Sequence, residues 1–322
     1  MDGVRWKPLC SDKTKNSQLN LKGKFPWLQL PFIWFLLIMT TNPIDLTVVI
    51  PAKNEEANIS ACLNSIGSGW AREIIVVDSS SSDSTVPFAK KSGASVINFV
   101  WNGKFPKKRN WFLRNYPIST KWVMFLDADE YLTEDFKNEV RAILETTSHV
   151  GFWLNYTNYF MGKRMRGGYP FTKLALFRVG AGEYEKIDEA RWSHLDMEVH
   201  EHPILDGTVG VIKTKIEHND FKSISHYIRK HNEYADWEAN RYVNSLKQLK
   251  DRNILTWKQK LKYSFLGTPF IGVLYFIGSY IFMGGFLNGA RGLCFSIFKM
   301  AYFTQVYCSI RDIKRNQTSQ HL

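Results

Sequence analysis

Three groups of acidic residues each follow a short apolar segment, and they are the side chains in this sequence best suited to chemistry. The groups are residues 54–56 (Asn-Glu-Glu), 78–83 (Asp-Ser-Ser-Ser-Ser-Asp) and 127–130 (Asp-Ala-Asp-Glu). The whole chain carries a net charge of +12, so this concentration of carboxylates needs a chemical reason. A divalent cation bound together with a nucleotide is the simplest one.

The Asp127-Ala128-Asp129 motif is the clearest of the three groups. It follows the apolar residues 121–126, and alternate residues of an extended segment point to the same side. Asp127 and Asp129 are therefore predicted to face one Mg²⁺ or Mn²⁺ ion, whose other ligands would be diphosphate oxygens and water. Two aspartates at this spacing also occur by chance, and a solvated loop is the alternative.

The elements that must position these groups are strands alternating with short helices. Strands are predicted at residues 46–50, 73–77, 95–99 and 121–126, with helices beginning near Ile59, Ser84 and Lys107. This alternation is typical of a mostly parallel sheet covered by helices on both faces. Because ligands bind at the carboxyl ends of parallel strands, the three acidic groups are expected to meet at one edge of the sheet.

The second half of the chain changes character twice. Thr133 is predicted to cap a helix, and residues 151–220 alternate in the manner of antiparallel strands around a Gly-Gly turn. From residue 223 the pattern is helical. We divide the chain into an extension at 1–43, a catalytic domain at 44–222 with halves 44–145 and 146–222, and a helical region at 223–322.

The first loop argues against a dinucleotide-binding fold. Residues 51–56 (PAKNEE) contain no glycine, so a phosphate could not approach the backbone as it does in a G-x-G-x-x-G loop. The side chains of this loop are suited instead to accepting hydrogen bonds from a base or a ribose. Asp78 and Asp83 are predicted to do the same.

Four segments together resemble the family 2 glycosyltransferases of GT-A fold: VVIPAKNEEANI, EIIVVDSSSSDST, GKFPKKRN and FLDADE. The resemblance is dense over residues 45–145 and looser over 150–240. It implies transfer of a sugar, mostly with inversion at the anomeric carbon. It also implies a nucleoside held by Pro51, Asn54, Glu55 and Asp78, a diphosphate met by Arg109 with Lys107, and a metal held by Asp127 and Asp129. GKFPKKRN departs from the GKGxARN-type segment of the family, so the choice of cation stays open.

An inverting transfer needs a general base, and residues 195–207 (LDMEVHEHPILDG) hold the candidates. The V-H-E of this segment, followed by a strand ending at Ile216-Glu217-His218, resembles the lipopolysaccharide-core glucosyltransferase-like branch. That likeness implies Glu201 as the base and His218 as a third metal ligand. Glu198 is the alternative base.

Two apolar segments bear on membrane association. The segment of residues 25–39 is shorter than the roughly 20 residues that a spanning helix needs. Residues 1–38 could be a loosely attached anchor or could result from an upstream false start of translation before Met39, and both interpretations stay open. Residues 263–290 contain no charge but are interrupted by glycines and a proline. They favour an interfacial or re-entrant unit over a spanning hairpin, and a buried helical pair is the alternative.

Taken with these observations, the resemblance implies a divalent-metal-dependent hexosyltransferase of cell-envelope biosynthesis. It would move a sugar, from UDP by preference, to a lipid-linked, lipopolysaccharide or polysaccharide acceptor. Four cysteines without a CxxC pair indicate a reducing compartment, so the cytoplasmic face of a membrane is expected. No nucleic-acid partner is expected, since no recognition motif occurs. The alternatives are an inactive nucleotide-sugar-binding membrane scaffold and a haloacid-dehalogenase-type phosphatase, whose motif expects Thr or Val at Glu130.

Overall fold

The computed structural model describes residues 42–187, 196, 202–219, 223–244 and 257–319, with backbone only for 257–259. Three predictions therefore fall outside the described residues. They are the apolar segment at 25–39 and the candidate bases Glu198 and Glu201.

Four parallel strands form one half of the main sheet. They are β1 (Ile44–Ala52), β2 (Ala71–Asp78), β3 (Ser95–Asn98) and β4 (Trp122–Phe125), in the spatial order β3-β2-β1-β4. The helices that connect them are α1 (Ile59–Ile66), α2 (Thr85–Lys91) and α3 (Lys108–Asn115). Val48 packs in one core with Ile59 of α1, while Val49 packs in another with Phe112 of α3. Successive residues of β1 are thus buried on opposite faces, as expected of a covered parallel strand.

The other half of the sheet is mixed. It contains β5 (Glu130–Tyr131), β6 (Gly151–Phe160), β7 (Lys163–Arg164), β8 (Phe171–Arg178) and β11 (Val209–His218), while β9 (Gly182–Tyr184) and β10 (Pro203–Leu205) form a separate ribbon. Helix α4 (Glu134–Thr146) begins after Thr133, whose Oγ1 accepts a hydrogen bond from Phe136 N at 3.2 Å. The sheet continues in the order β4-β8-β6-β11-β5.

The strand directions in this half match the prediction only in part. β8 runs antiparallel to both β4 and β6. β11 runs parallel to β6, because the chain between them crosses over through β8 and the β9–β10 ribbon before it returns. β5 then pairs with the end of β11, and the register places His218 opposite Glu130. The mixed α/β fold predicted from the sequence is confirmed.

The C-terminal part is helical. It comprises α5 (Ile224–Asn244), α6 (Trp257–Leu266), α7 (Ile271–Ile277), a π-helical turn (Gly278–Phe282), a 3₁₀ turn (Gly285–Asn288) and α8 (Ala290–Ser319). Ala235 of α5, Leu266 of α6 and Val306 of α8 share one buried core. Polar side chains also join α5 to α8 in the pairs Asn232–Gln305, Asp236–Ser309 and Asn244–Gln317.

The β7–β8 connection and the C-terminal helical turns meet at a close backbone contact. Gly168 N donates to Met283 O at 2.7 Å, and Arg166 N donates to Asn288 Oδ1 at 2.7 Å. A Cβ on Gly167 would lie 2.5 Å from Gly284 O. Only glycine therefore permits this approach, which fixes the β7–β8 connection against the two helical turns.

Candidate active site

Two loops at the carboxyl edge of the sheet are joined by hydrogen bonds. Asn54 follows β1 in a left-handed conformation (φ 55°), which asparagine tolerates better than most residues. Its N donates to Ser81 Oγ at 2.8 Å, and its Oδ1 accepts from Ser82 N at 3.0 Å. Asp78, buried at the end of β2, accepts from both the N and the Oγ of Ser81. The first two acidic groups thus form one surface, as predicted.

Asp83 makes hydrogen bonds within these same loops. Its Oδ2 accepts from Glu56 N at 3.1 Å and its Oδ1 from Thr85 N at 3.0 Å. Glu55 N donates to Thr85 Oγ1 at 2.7 Å. Asp83 and Thr85 therefore hold the first loop at the start of α2. Contact of Asp83 with a nucleoside stays a prediction.

The first turn of α3 brings three buried cations to the same edge: Lys107, Lys108 and Arg109. Lys108 Nζ donates to Ala52 O at 3.1 Å and lies 3.5 Å from Asp196 Oδ2. Burial lowers the pKa of Lys108, and Asp196 opposes that shift. Lys108 N also donates to Asp196 O at 3.0 Å. Asp196 is therefore tied to the end of β1, two residues before Glu198 in the chain.

Asp127 is held by two cations. Arg109 Nη2 lies 2.7 Å from Asp127 Oδ1, and Lys173 Nζ on β8 contacts Asp127 Oδ2. Burial opposes ionisation of Asp127, but Lys173 and Arg109 outweigh it and keep its pKa well below the usual range. Asp127 therefore stays ionised, with both oxygens already engaged. The side chain predicted as a direct metal ligand is paired here with the protein's own cations.

Glu130 is fully buried beneath Asp127. Its Oε1 contacts Lys173 Nζ and its Oε2 accepts from Asp127 N at 3.0 Å. Burial and the carboxylates of Asp127 and Asp129 raise the pKa of Glu130 against the opposing charge of Lys173. Lys173 thus bridges two carboxylates.

Asp129 faces His218, the other predicted metal ligand. The distance from His218 Nε2 to Asp129 Oδ2 is 3.7 Å. The pairing of β5 with β11 and the bond from Asn219 N to Asp129 O at 3.2 Å hold the two together. Over the described ranges, no three His, Cys, Asp or Glu side chains are grouped to hold a metal ion. The structure therefore supplies one carboxylate and one imidazole as a pair.

An aromatic wall surrounds this pair. The ring centroid of Phe171 lies 5.1 Å from that of His218, and Lys173 Nζ lies 5.2 Å from the ring centroid of Tyr156. On the adjoining side, His202 stacks edge-on against Trp153 at 5.1 Å. Burial and nearby cations lower the pKa of His202 to about 4, so its imidazole is neutral at pH 7.

Two charged side chains of the candidate site were not predicted from the sequence. Lys173 is a charged residue within FTKLALFR, a strand that is otherwise mostly apolar, and this contrast could have marked it. Lys108 stands beside the predicted cations, but its contact with Asp196 depends on tertiary structure. Pro51 pairs with Val77 at the end of β1, close to the joined loops.

Residues 47–189 match the family model described as Glycosyl transferase family 2. An uncharacterized glycosyltransferase of Rickettsia typhi is 38% identical over 98 residues, which are 30% of this chain and 32% of that protein. A 4,4'-diaponeurosporenoate glycosyltransferase of Staphylococcus aureus is 28% identical over 155 residues, 47% of this chain and 41% of that protein. The chain thus spans about a third of the length of the rickettsial relatives it matches.

Solved structures of glucosyl-3-phosphoglycerate synthase from Mycobacterium tuberculosis are also similar in part. One, in complex with Mn²⁺, UDP and glucosyl-3-phosphoglycerate, is 29% identical and covers 36% of this chain and 44% of that chain, with a TM-score of 0.29. Another, in complex with Mg²⁺ and UDP, is 29% identical and covers 33% of this chain and 42% of that chain, with a TM-score of 0.28.

Proposed function

We propose that this chain, which belongs to the family 2 glycosyltransferases through residues 47–189, transfers a sugar from a nucleotide-sugar to an acceptor hydroxyl with the help of a divalent cation. One observation carries the proposal. A carboxylate–imidazole pair, Asp129 with His218, lies beside the cations Arg109 and Lys173 at the carboxyl edge of the sheet. A nucleoside diphosphate bound with its metal needs ligands for the cation and positively charged side chains for its phosphates.

The nucleoside end of the donor fits the joined loops. Pro51 and Asp78 lie at the ends of β1 and β2, and Asn54 and Glu55 lie in the loop that follows β1. The side-chain oxygens of this surface can accept hydrogen bonds from a base or a ribose. UDP is the donor nucleotide that we propose.

The diphosphate end fits the cations and the metal pair. Asp129 and His218 would hold the cation, and diphosphate oxygens and water would complete its coordination. An imidazole donor favours Mn²⁺ over Mg²⁺, which prefers oxygen ligands throughout. The cation would stabilise the negative charge of the departing diphosphate. Asp127 would orient Arg109 and Lys173 toward the same charge.

The base for the acceptor hydroxyl is proposed to be Glu201, with Glu198 as the alternative. The described residues on either side of Glu198 and Glu201 make contacts within the candidate site. Asp196 is bonded to Lys108, and His202 packs against Trp153. Because burial lowers the pKa of His202 to about 4, its imidazole is a weak proton acceptor.

The acceptor is proposed to be a lipid-linked or glycan molecule handled at the cytoplasmic side of a membrane. This proposal rests on the sequence, whose four cysteines form no CxxC pair, and on the preference of disulfides for oxidising compartments. The phosphatase alternative gains no support, because the family model and the named relatives that this chain matches are glycosyltransferases.

The test is a thermal-shift screen of UDP-, GDP- and dTDP-sugars with Mn²⁺, followed by a donor-hydrolysis assay. A bound donor raises the melting temperature by mass action, and hydrolysis should stop with EDTA. Asp129→Ala should remove both responses, while Asp206→Ala, an exposed aspartate outside the site, should keep them. Binding without turnover on any acceptor would support the inactive scaffold. Full turnover in EDTA would contradict the metal.

A further inference from the structure

Most of the exposed large hydrophobic side chains in the described residues belong to one short part of the chain. We call them the apolar face. They are Leu261, Phe265, Phe270, Val273, Leu274, Ile277, Ile281, Phe282, Met283, Phe286, Leu287, Leu293 and Ile297. Phe282 is 82% exposed and Phe270 is 69% exposed. Exposed apolar side chains are ordinary when scattered, but a concentrated set indicates a binding surface.

The apolar face lies on a helical hairpin. α7 packs against α8, with Tyr275 stacked on Phe303 at 3.4 Å between ring centroids. Val273, Ile277 and Ile281 are exposed and recur every fourth residue, so they form one stripe along α7 and the turn that follows it. The opposite side of the hairpin packs on α5 and on Phe160 and Met165, which lie at the end of β6 and just after β7. The stripe is therefore directed away from the rest of the protein.

The charged residues of the segment that carries this face are basic. Residues 257–311 contain no aspartate or glutamate. The exposed residues Lys163, Arg164 and Arg166 belong to the connection that is bonded to the helical turns through Arg166 N and Asn288 Oδ1. Basic side chains beside an apolar surface fit an anionic lipid headgroup region.

A complete crossing of the membrane does not fit these helices. α8 is long and apolar enough to span a bilayer by length and composition. However, its second half is bonded to α5, which exposes Arg229, Glu233 and Asp236. A spanning α8 would carry these charges into the hydrocarbon, where each is costly. These three charged residues all belong to α5, and none of them belongs to the hairpin tip or to the face beside it.

We propose that the apolar face inserts into one leaflet of a bilayer that contains anionic phospholipid, with the basic residues at the headgroups and α5 in water. The insertion would also place the candidate site at the membrane surface. His218 pairs with Asn158, Asn158 Nδ2 donates to Tyr169 O at 2.6 Å, and Gly168 N is bonded to Met283 O. That a lipid-linked acceptor reaches the site along this route rests on the proposed function.

The first test is flotation of the full chain with phosphatidylcholine vesicles, with and without phosphatidylglycerol. Ile281→Glu should weaken binding roughly tenfold or more, because an isoleucine that would enter the bilayer is replaced by a charge. Ile228→Glu is the matched control: the two isoleucines are 54% and 49% exposed, but Ile228 lies on α5. Equal loss in both variants, or equal binding to vesicles without phosphatidylglycerol, would overturn the proposal.

Two native cysteines give the depth of insertion. Cys294 lies between Leu293 and Ile297 of the apolar face, and Cys308 lies in the half of α8 that is bonded to α5; both are exposed. With vesicles bound, a membrane-impermeant maleimide should modify Cys308 and spare Cys294. Protection of both would indicate a spanning helix. If Cys294 is protected without vesicles and light scattering detects a dimer, the apolar face is instead a contact between two copies of this chain, and the proposal fails. Neither assay measures sugar transfer, so each outcome is independent of the proposed function.

Discussion

Replacing Lys173 with methionine removes the ammonium group that contacts both Asp127 and Glu130, while keeping a side chain of similar length. Asp127 keeps Arg109, but Glu130 is fully buried and loses its counter-charge. Removing one partner of a buried ion pair costs about 3–5 kcal/mol, because the other charge stays buried and unpaired. Because burial already raises the pKa of Glu130 to about 8, this carboxyl can remain protonated near pH 7, so the lower end of about 3 kcal/mol is expected.

The measurement is a melting temperature. At about 2 °C per kcal/mol for a chain of this size, Lys173→Met should melt roughly 6 °C below the parent. Lys121→Met, which changes an exposed lysine just before β4, should stay within about 0.5 kcal/mol. The control separates loss of the buried contact from loss of a positive charge.

A double variant makes the reasoning refutable. In the double variant Lys173→Met with Glu130→Gln, the buried carboxyl group that needs the ammonium group is also gone. Most of the lost free energy of unfolding should therefore return. The expected coupling free energy between the two positions is at least about 1 kcal/mol. If the double variant melts as low as Lys173→Met alone, the ion pair is not the cause. An unchanged melting temperature in Lys173→Met would contradict the burial argument directly.

Three further predictions concern the base, a titrating histidine and a glycine contact. Glu201→Gln should lower kcat by roughly 10²–10⁴-fold with unchanged UDP binding, while Glu198→Gln changes kcat little; the reverse ranking would exchange their roles. Burial lowers the pKa of His202 to about 4, so the unfolded chain binds a proton near pH 6.5 that the folded chain rejects. The contribution of His202 to the free energy of unfolding should therefore be fully present above about pH 6.5 and should be lost toward pH 4, by at most about 3 kcal/mol. His202→Gln should flatten the dependence of the melting temperature on pH. An unaltered dependence would refute the assignment to His202. Gly292→Ala should lower the melting temperature, since its Cβ would lie 1.8 Å from a carbonyl oxygen of the 3₁₀ turn, whereas Gly278→Ala meets nothing within 4 Å and should not.

The positions of the acidic groups could be predicted because they depend on local patterns. Apolar runs of five or six residues fix β1, β2 and β4, and each acidic group follows the end of its strand. A parallel sheet then brings the carboxyl ends of these strands to one edge, whatever the sequence of the connecting segments. The predicted pairing of Asp129 with His218 depended on the family resemblance, and the β5–β11 register supplies its physical basis.

The state of Asp127 could not be read from the sequence in the same way. Its partners Arg109 and Lys173 lie 18 and 46 residues away in the chain. When two residues are this far apart in the chain, the order of the strands decides whether their side chains meet. Lys173 meets Asp127 because β8 lies next to β4 in the sheet. The parallel pairing of β11 with β6 escaped prediction for the same reason, since alternation marks a strand but not its direction.

The polar pairs between α5 and α8 have a practical consequence for handling the protein. Each pair joins residues 73 apart, so the two helices run side by side in the same direction. α8 leaves the apolar turns at Ala290 and extends for 30 residues to Ser319, a length of about 45 Å. An affinity handle attached close to Ser319 would therefore tether the molecule to a sensor chip by the end remote from those turns, leaving them free to meet lipid flowed across the chip.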